Sequence, residues 1–346
     1  MSRTVDLLGG HLQKHPAAQV QDAAKFLYQA LYGSGHMVAD PRAVEDYLQE
    51  EADGLPLERR VPLFEPLGQY VRMDLGALKM LSIETMAAMF IASAADEPEE
   101  RTELAAALDE MVSKGLFDDE KSLAWIAEYK EQGCPAVHHS ENYRAVYGPA
   151  YRVVKEEYAK FFEAFLLIDR LLSGGGSATV AIDGMCGSGK TTLASLMQSV
   201  YDCTVFHADD FYLPPELRTP ERYATPGGNI HWERILKEVL RPLRLGRTVL
   251  YRPFDCETMA LVPKGTRIRP TRLAILEGSY STHPQLRGAY DLKIFLKTTP
   301  AKQEERILER NGPEKLQMFK EKWIPLENLF FDALDVQSNC DLVFET

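Results

Sequence analysis

The segment Gly184–Thr191, which reads GMCGSGKT, limits the folds open to this chain more than any other part of it. It fits the pattern G-x-x-x-x-G-K-[ST] completely, after a predicted strand at Ala178–Ile182 and before a predicted helix at Thr191–Val200. The glycines let successive backbone N–H groups converge on phosphate oxygens, and the helix N-terminus adds a favourable dipole. The segment therefore predicts a phosphate-binding loop inside an α/β domain.

The residue types in this loop predict how a nucleotide is held. Lys190 is a point charge for the β- and γ-phosphates, and the Thr191 hydroxyl is a ligand for Mg²⁺. No NKxD segment, which would select guanine, is present, so ATP is the expected nucleotide. The candidate ATP contacts are Gly184, Met185, Cys186, Gly187, Ser188, Gly189, Lys190, Thr191 and Thr192.

A glycine-rich linker, residues 173–177, separates two parts of the sequence that have different residue patterns. Residues 1–172 read as an acidic, all-helical accessory domain with little β-branched alternation. After the linker, short apolar runs alternate with helical segments, which predicts a parallel sheet covered on both faces. The predicted strands are Ala178–Ile182, Cys203–Phe206, Thr248–Tyr251, Leu273–Leu276, Leu292–Leu296 and Leu342–Phe344. The chain is thus expected to be an all-α domain followed by a parallel sheet of the P-loop NTPase type, residues 178–346, sandwiched by helices.

Charge and composition exclude several classes of partner. The formal net charge is −12, and residues 1–172 carry all of the excess, with 17 Lys and Arg against 29 Asp and Glu. No basic stripe indicates nucleic acid, and the most apolar stretch, Leu75–Ala95, is broken by Lys79 and Glu84, so no membrane span is expected. Five dispersed cysteines and no visible signal peptide favour a cytoplasmic protein, and homo-oligomerisation stays open.

A pair of acids follows the second predicted strand of this sheet, in Ala208-Asp209-Asp210-Phe211-Tyr212. In an open α/β sheet, side chains at the C-terminal strand ends line the ligand crevice. Asp209 can therefore accept a proton from an attacking hydroxyl, or hold the metal through water. The alternative is that it caps a helix.

At these residues the chain resembles the uridine kinase and phosphoribulokinase family of P-loop kinases. The resemblance covers about residues 178–346 and rests on Gly184–Thr191, on Asp209–Tyr212, on the segment ILEG at 275–278, and on Tyr290–Leu296 with the helix after it. It implies that Asp209 is the base toward a 5′-hydroxyl, that Glu277 lies by Mg²⁺, and that Tyr212 lies by the acceptor. It also implies that Arg306 and Arg310 contact the phosphates.

The residue chemistry agrees with these implied roles. Glu277 ends an apolar strand, where a carboxylate is costly to bury unless it meets a cation. Arg306 and Arg310 are four residues apart on one helix face and can stabilise charge on a transferring phosphoryl group. The alternatives are a surface turn for Glu277 and exposed ion pairs for the two arginines. Asn311-Gly312-Pro313 then breaks the helix, as the hinge of a lid would.

The acceptor segments differ from the simple uridine kinase pattern, because the base-contacting histidine after the Tyr-Asp-Phe segment is missing at 254–259. The candidate acceptor contacts are Asp210, Tyr212, Asn229, His231, Arg252 and Asp255. The last four can equally be ordinary polar residues of loops. A uridine or cytidine 5′-hydroxyl is the first expectation. Another sugar, a vitamin alcohol or a hydroxy acid remains open, as does an ATP sensor with vestigial transfer.

The N-terminal half contains two clusters of polar and aromatic residues, Leu31–Met37 and Pro135–Arg152. Aromatic residues at helical spacing usually mark packing faces. Packing of a helix against the kinase domain is therefore preferred to the alternative that the second cluster faces the kinase cleft or binds a regulatory anion. His11 and His15 are four residues apart. No third ligand is apparent near them in the sequence, so no metal site is expected there.

Overall fold

The structure of the protein is a computed structural model that describes residues 2–38, 40–56, 61–94, 98 and 100–346. Its contacts divide the chain into two units, residues 1–162 and 163–346. The helices of the first unit are α1 (Ser2–Lys14), α2 (Val20–Tyr32), α3 (Val44–Asp53), α4 (Ile83–Ser93), α5 (Thr102–Ser113), α6 (Glu120–Glu131), α7 (Glu141–Tyr147) and α8 (Glu156–Lys160). Those that follow are α9 (Phe162–Leu172), α10 (Lys190–Gln198), α11 (Pro220–Ala224), α12 (Trp232–Arg234), α13 (Arg241–Arg244), α14 (Pro300–Asn311), α15 (Pro313–Met318) and α16 (Ile324–Ala333).

Within the part of the chain that the structure describes, the strands form four separate sheets. The first unit contains β1 (Phe64–Leu67), β2 (Tyr70–Asp74) and β3 (Tyr151–Lys155). The second contains β4 (Ala178–Gly184), β5 (Cys203–His207), β6 (Val249–Tyr251), β7 (Phe254–Asp255), β8 (Ala260–Leu261), β9 (Thr266–Ile268), β10 (Leu273–Glu277), β11 (Leu292–Lys297) and β12 (Leu342–Glu345).

The main sheet of the second unit has the order β12-β11-β4-β10-β5, and all of its pairings are parallel. Its inner strands are continuous apolar runs because helices cover both faces. β10 is buried along its whole length. The predicted α/β architecture with a parallel sheet is therefore confirmed. The loop after β4, the end of β10 and the end of β5 all lie at one edge of this sheet.

One predicted strand belongs to a different sheet. The run Thr248–Tyr251 forms β6, which pairs antiparallel with β9, and β7 pairs antiparallel with β8. These two hairpins lie in the chain between the turn after β5 and the inner strand β10. Only Val249 of β6 is buried, which is the burial pattern of a short edge element and not of a central strand.

The first unit is mainly helical, as expected, but it also contains a three-stranded antiparallel sheet of order β1-β2-β3. The expectation of an all-α domain missed this sheet. The all-helical expectation is wrong at residues 151–155, because these form β3 and pair with β2, from Tyr70↔Lys155 to Asp74↔Tyr151. Tertiary pairing here overrides helical periodicity. The unit's core packs α1, α2, α5 and α6 against the sheet through Leu8, Phe26, Leu67, Leu108 and Ile126.

Candidate active site

Glycines set the path of the phosphate-binding loop. Gly184 has φ +140°, and a Cβ atom there would lie 2.0 Å from the carbonyl oxygen of Leu296 on β11. Gly187 and Gly189 also have positive φ, +72° and +89°, and Gly189 leads directly into α10. Only glycine adopts these conformations at low cost. Ser188 Oγ in the same loop is buried without a hydrogen-bond partner among the described residues, which fits a loop built to receive a polar ligand.

Lys190 is the first residue of α10, and its ammonium group lies back over the loop. The Nζ atom donates hydrogen bonds to the carbonyl oxygens of Gly184, at 2.8 Å, and Met185, at 2.9 Å. The positive charge of Lys190 is thus held against the backbone of the loop. Thr192, the last predicted ATP contact, is exposed on the first turn of α10.

A hydroxyl and a carboxylate meet beside this loop. Thr191 Oγ1 lies 3.2 Å from each carboxylate oxygen of Glu277, the last residue of β10. Glu277 is only 5% exposed. Hard oxygen donors of this kind are the ligands that Mg²⁺ prefers, so the two side chains fit that ion.

His207 is a neighbour of Glu277 that the sequence analysis missed. It ends β5 in register with Glu277, and its Nδ1 lies 2.6 Å from Glu277 Oε1. This hydrogen bond raises the pKa of His207. Its position in the sequence could have identified it, because His207 is the last residue of the strand that precedes the two acids.

Asp209 and Asp210 lie in a 3₁₀ turn directly after β5, and they point to different partners. Asp209 is accessible to solvent. Protein atoms crowded around its carboxyl group nevertheless displace water and raise its pKa, and the charge of Lys190 opposes that rise. Tyr212 donates a hydrogen bond to Asp209 Oδ1 at 3.3 Å, and the Tyr251 hydroxyl donates to Asp210. The carboxylate of Asp209 is therefore available to a ligand beside Lys190. The carboxylate of Asp210 is instead bonded to Tyr251 of β6.

The two predicted lid arginines have different surroundings. Arg306 on α14 donates to the carbonyl oxygen of Gly187 in the loop at 3.1 Å. Arg310 is exposed and donates to the neighbouring Asn311 side chain at 2.9 Å. The structure thus brings Arg306 to the phosphate-binding loop and leaves Arg310 on the surface, near Gly312, which has φ +80° at the end of the helix.

A third carboxylate at the loop, Glu327 on α16, was also missed. It is 5% exposed, accepts the Cys186 backbone N–H at 2.9 Å, and accepts the Ser279 hydroxyl at 2.6 Å. Burial, followed by the charge of Glu327, raises the pKa of the Cys186 thiol. No pattern marks Glu327 in the sequence, because it lies in a separate helix 141 positions after Cys186.

The predicted acceptor residues are dispersed over the segments between β5 and β10. Asp255 Oδ1 accepts the Glu257 N–H at 2.8 Å and thereby shapes the turn between β7 and β8. Arg252 lies 3.6 Å from Glu238. Asn229 Nδ2, His231 Nδ1 and Arg252 Nε are buried and have no hydrogen-bond partner among the described residues. Asp255 thus has a local structural role, and the other three carry polar atoms that a ligand can satisfy.

In the first unit, the segment Pro135–Arg152 is packed into a polar network. Tyr143 is buried and stacks on His139 at 4.3 Å between ring centroids, and His139 bonds Asp22 at 2.9 Å. These contacts pack the segment inside the first unit. The expectation that no third ligand lies near His11 and His15 is wrong, because Glu65 on β1 reaches His11.

Comparison with known proteins gives similarities of structure only. No model of a known protein family matches the chain, and no curated protein matches it. A possible uridine kinase from Bacillus stearothermophilus is 20% identical over 55% of this chain and 99% of its own, with a TM-score of 0.41. A protein described as a fructose transport system kinase from Silicibacter sp. TM1040 is 21% identical over 50% and 92%, with a TM-score of 0.38. The YGR205w protein is 16% identical over 55% and 91%, with a TM-score of 0.34.

The fold of the second unit is established by its own strand order and loop, described above. Within the described ranges, no helix is long and apolar enough to cross a membrane.

Proposed function

We propose that the second unit is an ATP-dependent phosphotransferase that moves the γ-phosphoryl group to a hydroxyl of a small acceptor. The observation that carries this proposal is the position of Asp209, an accessible carboxylate in the turn directly after β5, at the same sheet edge as the phosphate-binding loop and Glu277. A phosphate-binding loop alone accounts for nucleotide binding. A base beside the lysine that receives the γ-phosphate adds phosphoryl transfer.

The side chains at this sheet edge have different roles in the proposed reaction. The loop N–H groups and Lys190 neutralise the β- and γ-phosphates, and Arg306 adds positive charge at the loop. Asp209 takes the proton as the acceptor O–H bond breaks, the new O–P bond forms, the bond between the γ-phosphorus and the bridging oxygen breaks, and ADP leaves. Thr191 and Glu277 would hold Mg²⁺, which supplies further charge neutralisation at the phosphates when it is bound.

A nucleoside 5′-hydroxyl, of uridine or cytidine, is the acceptor we propose first. The support is the resemblance at Asp209–Tyr212, where Tyr212 donates to the proposed base. The unsatisfied polar atoms of Asn229, His231 and Arg252 add donors suited to a polyhydroxylated ligand. The absent base-contacting histidine makes another sugar, a vitamin alcohol or a hydroxy acid the next classes to try.

The test is ADP release from the purified full chain with Mg-ATP across a panel of nucleosides, sugars, vitamin alcohols and hydroxy acids. We expect one class to raise the rate far above the acceptor-free rate and to yield a phosphorylated product by mass spectrometry. Thermal-shift measurements with a non-hydrolysable ATP analogue rank the same panel by binding. Slow hydrolysis that no compound accelerates would instead indicate a nucleotide-dependent sensor.

A further inference from the structure

We propose that His11, His15 and Glu65 of the first unit form a binding site for a transition-metal dication of the zinc class. One ligand-type atom from each of these three residues lies within 4.8 Å of the other two. Two histidines and a carboxylate, with water in the fourth position, are a ligand set that Zn²⁺ accepts in proteins. This site is separate from the loop of the second unit and does not depend on the proposed transfer reaction.

The local fold brings the ligands together from two elements. His11 and His15 are four residues apart on α1, so their rings lie on one face of the helix, with centroids 4.1 Å apart. Glu65 belongs to β1, and its Oε1 lies 2.6 Å from His11 Nδ1. A metal here would link α1 to a strand that begins 50 residues after it in the sequence.

Each of the three side chains has its second polar atom already engaged. His15 Nδ1 lies 3.0 Å from the carbonyl oxygen of His11, which leaves Nε2 as the nitrogen with a free lone pair. Arg72 donates to Glu65 Oε2 at 3.2 Å and leaves Oε1. His11 Nε2 lies 3.3 Å from the Tyr143 hydroxyl and leaves Nδ1.

This outer set of contacts is the arrangement that orients ligands in metal sites. A ligating imidazole usually donates its other ring N–H to a carbonyl or another polar group, and a ligating carboxylate is usually hydrogen-bonded in turn. Arg72 is itself fixed, because it also donates to Gln29 Oε1 at 3.0 Å and lies against the rings of Phe26 and Tyr151. The contacts therefore fix the outer atom of each side chain. The inner pair, His11 Nδ1 and Glu65 Oε1, share a hydrogen bond at 2.6 Å, and an ion would displace its proton.

The size and exposure of the cluster also fit a zinc-sized ion. Bonds of about 2.0–2.1 Å in a tetrahedron place ligand atoms roughly 3.3 Å apart, so closure requires shifts of about 1.5 Å or less. His15 and Glu65 are half-buried, whereas His11 is 4% exposed. The ion is thus reached from the side of His15 and Glu65, where water can complete its coordination.

The test is titration of the full chain, stripped with EDTA, with Co²⁺ followed by visible absorption, then competition with Zn²⁺. We expect one Co²⁺ per chain with a spectrum of nitrogen and oxygen ligation, its displacement by Zn²⁺, and a rise in the melting temperature of the chain with Zn²⁺. His15→Ala and Glu65→Gln should each weaken binding at least tenfold. His138→Ala, which removes an exposed histidine outside the cluster, should bind as the unaltered chain does.

Two results would overturn the proposal. One is the absence of any Co²⁺ spectrum and of any thermal shift with Zn²⁺. The other is binding that His15→Ala and Glu65→Gln leave unchanged, above all with the intense near-ultraviolet band of thiolate ligation, which would place the ion on cysteines. The half-buried position of His15 and the unchanged size of the side chain in Glu65→Gln keep both variants foldable, and far-ultraviolet circular dichroism checks this.

Discussion

At the scale of single residues, Asp209 combines two properties that rarely occur together. Its carboxylate is accessible, and the atoms packed around it still raise its pKa, which makes it a stronger base than a fully solvated aspartate. Glu277, with which it shares the sheet edge, is buried against His207 and Thr191 instead. The two acids therefore suit different tasks, proton transfer for Asp209 and metal binding for Glu277.

Replacing the proposed base should separate binding from chemistry. Asp209→Asn keeps the size of the side chain but removes its capacity to accept a proton, so we expect turnover to fall by about 10² or more. The Kd for ATP, measured by calorimetry, should stay within about twofold of that of the unaltered chain. Asp202→Asn, at an exposed position before β5, is the control. Unchanged turnover in Asp209→Asn would remove Asp209 from the mechanism.

The position of Glu327 predicts that removal of its charge strengthens the binding of nucleotide. Its carboxylate accepts the Cys186 N–H inside the loop and brings a negative charge to the place where a triphosphate must sit. Glu327→Gln removes that charge and keeps an oxygen acceptor, so we expect ATP to bind about tenfold more tightly, a gain of roughly 1.4 kcal/mol. Glu321→Gln, on an exposed stretch before α16, should leave the Kd unchanged. Weaker binding in Glu327→Gln would show that the carboxylate supports the loop.

Sequence analysis identified the residues whose role depends on their near neighbours in the sequence. Lys190 and Thr191 follow from one motif, and Asp209 and Glu277 follow from strand ends. It missed the contact of Glu327 with the loop and the contact of Glu65 with His11. Each of these contacts joins two elements that are far apart in the chain. Contacts of that kind are set by packing and leave no spacing to recognise.

At the scale of elements, the bend from β4 into α10 depends on the close approach of two strands. Gly184 lies against the backbone of Leu296 on β11, and no side chain larger than hydrogen fits between them. The same approach brings the Met185 N–H to within 3.1 Å of the Leu296 carbonyl oxygen. The loop is thus anchored to the sheet at its first residue.

Replacing two different glycines by alanine should change the free energy of unfolding in opposite directions. Gly184→Ala puts a Cβ atom 2.0 Å from a backbone oxygen and at φ +140°, so we expect a loss of more than about 3 kcal/mol in the free energy of unfolding. Gly10→Ala, inside α1 with nothing within 4 Å of the new atom, should add about 0.5–1 kcal/mol. Urea unfolding of both variants measures this. A Gly184→Ala chain as stable as the unaltered one would contradict the packing described here.

Three of the strands that sequence reasoning identified correctly have a uniform environment. β4, β10 and β11 are buried apolar runs, and their composition alone indicates a central parallel sheet. β3 was missed because its sequence, YRVVK, continues a helical pattern and becomes a strand only by pairing with β2. Arg152, inside β3, bonds Glu51 at 2.7 Å, another relation that composition does not reveal.

At the scale of the whole molecule, each unit carries a buried histidine that resists protonation. Burial lowers the pKa of His139 in the first unit and of His283 in the second to about 4 each, from an ordinary value of 6.5. His283 stacks on Trp232 with centroids 5.4 Å apart. Between pH 6.5 and pH 4 the unfolded chain binds a proton at these positions and the folded chain does not.

Stability should therefore fall as the pH is lowered through that window. Each histidine contributes up to about 3 kcal/mol to the loss. His207 acts in the opposite sense, because its pKa is raised, but its side chain is 45% exposed and its contribution is smaller. Urea unfolding at pH 7 and pH 5 measures the loss, and His283→Asn should flatten the pH dependence of the second unit. Greater stability at pH 5 than at pH 7 would refute this assignment.

The hydroxyl of Tyr251 has a consequence for how such a molecule changes over generations. It contacts Asp210 and also accepts the backbone N–H of His207 at 3.1 Å, so one phenol ties the β6–β9 hairpin to the turn that carries the proposed base. A hairpin that keeps this phenol while its other residues change would keep the turn in place. Under the proposed function, residues of the hairpin other than Tyr251 can therefore vary over generations while the turn with Asp209 stays where it is.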